Sequence, residues 1–150
     1  MLYLGDEVAV LNRYEYEKDP AQAGDSRWVH RSIWSDRLST GRSDPSTPEG
    51  RVFQALSLLA KLRRENPVFG VQAVTVNTNP FPSVLSYFKV LGTVRLTLVA
   101  NFAEHDVALD SGIFSGMLGG RDGLDLVSGE PIRLRGELVL GPCALVLILS

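Results

Sequence analysis

Apolar residues between positions 46 and 67 recur every three or four residues, the spacing of one face of an α-helix. The pair Ser46-Thr47 offers a cap at the start, and Pro48 suits the first turn. The pair Asn66-Pro67 ends the segment. The pattern predicts a helix from about Pro48 to Glu65 with an apolar stripe that packs in a core. The stripe consists of Val52, Ala55, Leu56, Leu59 and Leu62.

Beyond Pro67 the period of the apolar positions changes to two, which is the period of a strand with one buried face. Turn-forming pairs separate the segments, among them Asn79-Pro80 and Gly141-Pro142. Short alternating segments of this kind predict a small antiparallel β-sandwich. The predicted strands lie near Val71–Asn77, Val84–Val90, Val94–Asn101, Asp106–Leu109, Leu124–Val127, Ile132–Leu134, Glu137–Leu140 and Ala144–Leu149.

The first residues of the chain show a third pattern. Leu2–Leu4 is an apolar run without alternation that passes at Gly5 into acidic residues, which is typical of a strand buried on both faces. Such strands belong to parallel sheets and need neighbours joined by crossover connections. We therefore expect the chain to begin inside a larger fold. A polar stretch from about 6 to 46 follows, and connections of this length are usually functional.

Composition narrows the choice of partners. The formal net charge is -2 with both signs interspersed, so we expect no nucleic acid or anionic membrane partner. No signal-peptide pattern follows Met1, and the longest apolar run, Cys143–Leu149, is far shorter than the roughly 20 residues that span a bilayer. We expect a cytoplasmic location. The single cysteine, Cys143, is expected to be a buried small hydrophobe.

Metal and phosphate chemistry find little support in the sequence. The two histidines, His30 and His105, are far apart, so we expect no histidine metal site. The glycines between 112 and 123 have the wrong spacing for a phosphate-binding loop, and we interpret them as turns. These are Gly112, Gly116, Gly119, Gly120 and Gly123.

Several motifs together resemble one enzyme family. Leu2–Val8 is similar to the eighth barrel strand of α-amylase superfamily enzymes. The segment Gly24–Arg31, after Leu11-Asn12, resembles the eighth loop of amylosucrases within that superfamily. The C-terminal half resembles that family's β-domain at Asn77–Asn79, Val99–Phe102 and Asp125–Gly129.

The resemblance implies the last part of a (β/α)8 barrel at 1–69 and a C-terminal antiparallel β-sandwich at 70–150, an α+β fragment. The parent enzyme would cleave sucrose through a covalent glucosyl intermediate and transfer glucose to an α-glucan, with no cofactor. Its nucleophile, acid/base and third carboxylate would lie in the N-terminal barrel that precedes this chain. Sucrose, α-glucan and that missing barrel are the expected partners, and the chain alone is expected to be inactive.

Candidate site residues follow from the same loop. Arg27 has the donor fork that can hold a carboxylate and sugar hydroxyl groups, and the resemblance implies a salt bridge to an upstream aspartate; a loop arginine tied to Asp25 or Glu7 is the alternative. Trp28 and His30 are further substrate-binding candidates, although a loop tryptophan more often anchors its loop to the core.

Acidic residues near the predicted barrel rim are interpreted as structural. Adjacent side chains on an extended strand point to opposite faces, so Asp6 and Glu7 are not expected to form a catalytic pair. Asp6 and Asp25 are expected to order the loop. Catalytic residues are therefore not expected within the chain.

Two other functions remain open at this point. One is a segment of another α-amylase-superfamily glycoside hydrolase that acts on sucrose or maltose. The other, from a different class, is a free-standing carbohydrate-binding or structural β-module.

Overall fold

The computed structural model describes residues 4–150, which form two compact units that divide between Ala60 and Lys61. The first two residues of the predicted strand Leu2–Leu4 lie outside the described residues. Leu4 is in a turn and is 78% exposed. The barrel strand, and the prediction of two domains that part at residues 69/70, therefore stay predictions.

The first unit consists of short helical turns, loops and two helices, the second of which continues into the other unit. Its 3-10 turns span Asp6–Val8, Tyr14–Lys18 and Ser26–His30. Helix α1 spans Asp36–Gly41, which the sequence did not predict.

Helix α2 spans Pro48–Glu65, as predicted, and contains the boundary between the units. Thr47 caps its start, because the Thr47 hydroxyl oxygen accepts a hydrogen bond of 3.0 Å from the Gly50 amide. The predicted packing of the apolar stripe is only partly correct. Leu62 is buried, but Leu59 is 40% exposed.

The second unit is built on a six-stranded antiparallel sheet in the order β1-β2-β3-β8-β5-β6, and β4 pairs with β7 separately. The predicted antiparallel β-domain is therefore confirmed. Most strands are shorter than predicted, because turns and loops take up their ends. The strands are β1 (Thr75–Val76), β2 (Val84–Leu91), β3 (Val94–Asn101), β4 (Val107–Leu109), β5 (Gly123–Asp125), β6 (Pro131–Ile132), β7 (Leu138–Leu140) and β8 (Leu145–Leu149).

Helix α3 (Ser111–Leu118) contributes to the core of this unit and corrects an interpretation made from the sequence. Gly112 and Gly116 lie inside this helix and not in turns. Asp110 caps it, with its Oδ1 accepting hydrogen bonds from the Gly112 and Ile113 amides at 2.8 and 3.0 Å. The core consists of Val84, Val99, Val107, Leu109, Phe114, Met117, Leu118, Leu140 and Ile148.

Cys143 is exposed, which contradicts the expectation that it is a buried hydrophobe. It has a φ of 51° and lies in a turn closed by a 3.2 Å hydrogen bond from the Ala144 amide to the Gly141 carbonyl. The turn holds this residue outside strand β8, whose first residue is Leu145.

Polar side chains from the motifs in this unit anchor its turns. Asn101 is 2% exposed, and its amide nitrogen donates to the carbonyls of His105 and Gly141 at 2.8 and 2.9 Å. Asp125 is 5% exposed and accepts four hydrogen bonds. These motif residues therefore have a structural role in the β-domain.

Across residues 4–150, no helix combines the length and the apolar character needed to cross a membrane.

Candidate functional site

A pocket of about 420 Å³ lies in the first unit, between the segments 4–12 and 27–32. It brings together three of the predicted site residues, Asp6, Arg27 and His30. Trp28 and Asp25 are not among the residues that line it. The lining residues are Leu4, Gly5, Asp6, Val10, Leu11, Asn12, Arg27, His30, Arg31 and Ser32.

Hydrogen bonds between the two segments fix the walls of this pocket. The Arg13 amide donates to the Val29 carbonyl at 2.8 Å, and the Ser32 hydroxyl donates to the Leu11 carbonyl. The pocket therefore has a defined backbone frame.

A tight turn forms part of the pocket lining, at Gly5 and Val10. The Val10 amide donates to the Gly5 carbonyl at 3.0 Å, and Gly5 has a φ of 101°. A Cβ at this position would come within 3.0 Å of the Val10 side chain. A glycine is needed here both for the backbone conformation and for the close approach.

Arg27 makes a two-pronged ion pair with Asp25. Its Nε and Nη2 donate to the two carboxylate oxygens of Asp25, each at 2.8 Å. Asp25 Oδ1 also accepts the Arg27 amide at 3.0 Å, which caps the turn Ser26–His30. The side-chain hydrogen bond from Arg27 lowers the pKa of Asp25, and the same bond raises the pKa of Arg27. This ion pair gives the guanidinium a preferred orientation at the pocket wall.

This pairing is the alternative that the sequence left open for Arg27. The Arg27 side chain is 77% exposed, so the pair with Asp25 leaves it accessible to a ligand. The implied salt bridge to an aspartate upstream of this chain stays a prediction.

His30 is paired with Asn12, a residue to which the sequence reasoning gave no role. His30 Nδ1 lies 3.2 Å from Asn12 Oδ1, and Asn12 Nδ2 lies 3.4 Å from the Tyr14 hydroxyl. The signal available in the sequence was the motif Leu11-Asn12, which carried part of the resemblance. Its side-chain contact joins residues eighteen positions apart and could not be inferred from spacing.

Trp28 is half-buried, and the Arg31 guanidinium lies 4.8 Å from the centre of its ring. One face of the ring is therefore occupied by a cation, an attractive arrangement for the ring electrons. Trp34 is 45% exposed and also does not line the pocket. Contact between Trp28 and a sugar stays a prediction.

The acidic residues at the pocket have different surroundings. Asp6 and Glu7 lie in the 3-10 turn Asp6–Val8 and not on an extended strand. Glu7 Oε2 accepts the Gly5 amide at 2.9 Å, whereas Asp6 lines the pocket. Among the described lining residues, Asp6 is the one carboxylate, and retaining glycosyl transfer needs two.

Metal binding has no support in the part of the chain that the structure describes. No group of three or more His, Cys, Asp or Glu side chains between residues 4 and 150 is placed to hold a metal ion. The described pocket offers hydrogen-bond donors from Arg27 and Arg31 and acceptors from Asp6. Such a set suits a ligand with many hydroxyl groups.

No known family profile matches the sequence. Among solved structures, the chain is similar to AmyP in complex with maltose, with a TM-score of 0.58 and 16% identity over 68% of this chain and 21% of that one. A maltogenic amylase from S. marinus gives a TM-score of 0.61 and 13% identity over 99% of this chain and 17% of that one. The fold of the chain is therefore similar to that of a part of each of these two proteins.

An Anoxybacillus α-amylase agrees with this result, with a TM-score of 0.52 and 13% identity over 66% of this chain and 22% of that one. At such low identities the likeness establishes the fold alone. The chain spans about a fifth of the length of these solved structures. The shared α+β arrangement includes an antiparallel sheet like that of amylase-family C-terminal domains.

Proposed function

We propose that this chain is the C-terminal part of an α-amylase-superfamily glucosyltransferase of the amylosucrase type. The observation that carries the proposal is the pocket that joins Asp6, Arg27 and His30, in a chain with the fold of an α-amylase-family domain. The loop Asp25–Arg31 that forms one wall is also the segment with the strongest amylosucrase resemblance.

In this proposal the chain binds and orients the sugar but does not react with it. Arg27, held by Asp25, donates to sugar hydroxyl groups, and His30 lines the same pocket. Trp28, the neighbour of Arg27 in sequence, lies outside this lining and is a further proposed sugar contact. The two carboxyl groups that retaining transfer requires, about 5 to 5.5 Å apart, come from a preceding barrel. Sucrose is the glucosyl donor, an α-glucan is the acceptor, and no cofactor takes part.

The wider setting belongs to the same proposal. The enzyme acts in the cytoplasm, without a nucleic acid or membrane partner. The described chain supplies the loop at the sugar pocket, helix α2 and the C-terminal β-domain.

A second candidate is an α-glucan-acting enzyme that uses maltose-type substrates in place of sucrose. The observation that favours it is the set of similar structures, which includes AmyP bound to maltose and a maltogenic amylase. A free-standing β-module is a third reading, and the separate core of the second unit is compatible with it.

The test begins with the DNA upstream of Met1. An open frame that encodes seven further strand–helix units is expected, and the longer enzyme is then assayed with sucrose, sucrose plus α-glucan, and maltotriose. Fructose release from sucrose, together with growth of the glucan, supports the proposal. Turnover of maltotriose without sucrose cleavage selects the second candidate, and the absence of any such frame removes both.

A further inference from the structure

The pair Asn12 and His30 carries an inference that goes beyond the binding role proposed for His30. A neutral histidine has one ring nitrogen that donates and one that accepts, and the hydrogen bond at one nitrogen decides which is which. In this pocket, Nδ1 is engaged by the Asn12 side chain at 3.2 Å. The nitrogen left for a ligand is therefore Nε2.

The orientation of the Asn12 amide determines which ring nitrogen of His30 carries the hydrogen. Its nitrogen faces the Tyr14 hydroxyl and its oxygen faces His30. An amide oxygen only accepts hydrogen bonds, so in this orientation of Asn12 the hydrogen of the contact belongs to His30 Nδ1. In the neutral ring, Nε2 is then a hydrogen-bond acceptor.

The backbone frame supports this pairing. The bonds from Arg13 to Val29 and from Ser32 to Leu11 tie together the two segments that carry Asn12 and His30. The first bond joins the residue after Asn12 to the residue before His30, and the second joins the residue before Asn12 to the chain just after His30. The two bonds therefore flank the pair and keep Asn12 next to His30.

We propose that Asn12 is a positioning residue that holds His30 in the tautomer protonated at Nδ1 and thereby presents Nε2 as an acceptor for a ligand hydroxyl group. The proposal deepens the function given above and rests on it for the class of ligand, a sugar. The guanidinium groups of Arg27 and Arg31 can only donate. An acceptor at His30 lies on the same wall as these donors, in addition to the Asp6 carboxylate that also lines the pocket, so a ligand hydroxyl group at this wall can accept from a guanidinium and donate to His30.

The tautomer is measured on the 150-residue chain itself. Ring nitrogen shifts of ¹⁵N-labelled histidine are recorded at about pH 9, where histidine side chains are ordinarily neutral. The bare nitrogen resonates far downfield of the protonated one. The second histidine, exposed His105 on the other unit, is an internal reference for an unconstrained ring.

Two variants separate positioning from general structural damage. Asn12→Ala removes the acceptor, and we expect His30 to move toward the tautomer distribution of His105. Asn12→Asp keeps an acceptor at the same place and should preserve the hydrogen on Nδ1. A wild-type His30 ring that is protonated at Nε2, or that matches His105, would overturn the inference whether or not the enzyme cleaves sucrose.

A second arm tests the role of Nε2 in binding. Sucrose and maltotriose are titrated separately while the Nε2 resonance is followed. We expect a saturable upfield shift in the wild type, and about three- to tenfold weaker binding in Asn12→Ala, the effect of one hydrogen bond. An Nε2 resonance unchanged by both sugars would refute the ligand role. Failure of the longer enzyme to turn over either sugar would instead refute the proposed function, without altering the tautomer result.

Discussion

Replacement of Asp125 by asparagine should destabilise the β-domain, because its carboxylate satisfies four donors at once. Oδ1 accepts the amides of Leu147 and Val127 at 3.0 and 3.2 Å. Oδ2 accepts the Ser128 hydroxyl at 2.6 Å and the Ser128 amide at 3.2 Å. These bonds fasten the turn after β5 to strand β8.

The loss in the free energy of unfolding can be estimated from these four hydrogen bonds. The asparagine introduced by Asp125→Asn would have to place its NH₂ group toward one pair of donors. The orientation with the NH₂ group toward Ser128 is the less unfavourable one, because the Ser128 hydroxyl can rotate and accept a hydrogen bond. One amide hydrogen bond is then lost and the remaining bonds lose the charge of their acceptor, which costs about 2 to 3 kcal/mol in all. Ser128→Ala, which removes one hydroxyl donor, should cost about 1 kcal/mol.

The effect of Asp125→Asn should depend on pH with a definite sign. Burial on its own raises the pKa of Asp125, but hydrogen bonds from Ser128, Leu147 and Val127 outweigh burial and lower it. The contribution of Asp125 is therefore complete above the ordinary aspartate pKa of about 3.9 and is lost as the pH falls through the lower folded value. The difference between wild type and Asp125→Asn should be constant above about pH 5 and shrink below about pH 4.

Urea unfolding followed by far-UV circular dichroism measures these differences. The control is Asp106→Asn, the same chemical change at an exposed position, which should stay within about 0.5 kcal/mol of the wild type. Equal stability of Asp125→Asn and the control at pH 7, or a difference that grows in acid, would show that the Asp125 carboxylate does not stabilise this turn.

Three further predictions concern both units. Gly50→Ala should lower the free energy of unfolding by more than about 2 kcal/mol, because a Cβ would lie 1.9 Å from the Asp44 carbonyl oxygen. The control is Gly24→Ala, where a Cβ would have nothing within 4 Å. Both variants are measured by tryptophan fluorescence during urea unfolding. Asn101→Ala should lower the free energy of unfolding by about 2 to 3 kcal/mol, because the carbonyls of His105 and Gly141 lose their donor. Urea unfolding followed by circular dichroism measures this loss, and a value below about 0.5 kcal/mol would contradict the prediction. The purified chain should release no fructose from sucrose above a boiled control, since its pocket lining has one carboxylate among the described residues. Any release above that control would contradict the prediction, and release that persists in Asp6→Asn would show that Asp6 is not its source.

The sequence predicted those elements whose local signals agree. Helix α2 has a cap at Thr47, apolar positions at helical spacing and a terminating Pro67, and it was found within its predicted bounds. Helix α3 was not predicted because Gly112 and Gly116 give this short segment a low helix propensity. It is stabilised by the cap at Asp110 and by Arg95 of strand β3, whose Nη2 donates to the Met117 carbonyl at 2.7 Å. The contact with Arg95 is not visible in local sequence.

For the candidate site as well, the sequence predicted the segment that carries the site but not the contacts between its side chains. The motif predicted which loop would carry Arg27 and His30, and both line the pocket together with Asp6. The pairing of His30 with Asn12 and the placement of Arg31 over Trp28 depend on the folded path of the loop. Side-chain pairing of this kind is not encoded by residue spacing alone.

The proposed sugar site is tested by comparing Arg27→Lys with wild type in the longer enzyme that is proposed to contain this chain. Lysine keeps the charge but loses the two-pronged geometry seen with Asp25, so the initial rate of fructose release from sucrose should fall at least about tenfold at an unchanged melting temperature. Arg133→Lys, at a surface ion pair with Asp122 in the β-domain, is the matched control and should retain the wild-type rate. Equal rates for Arg27→Lys and Arg133→Lys would contradict the assignment of this pocket as the sugar site.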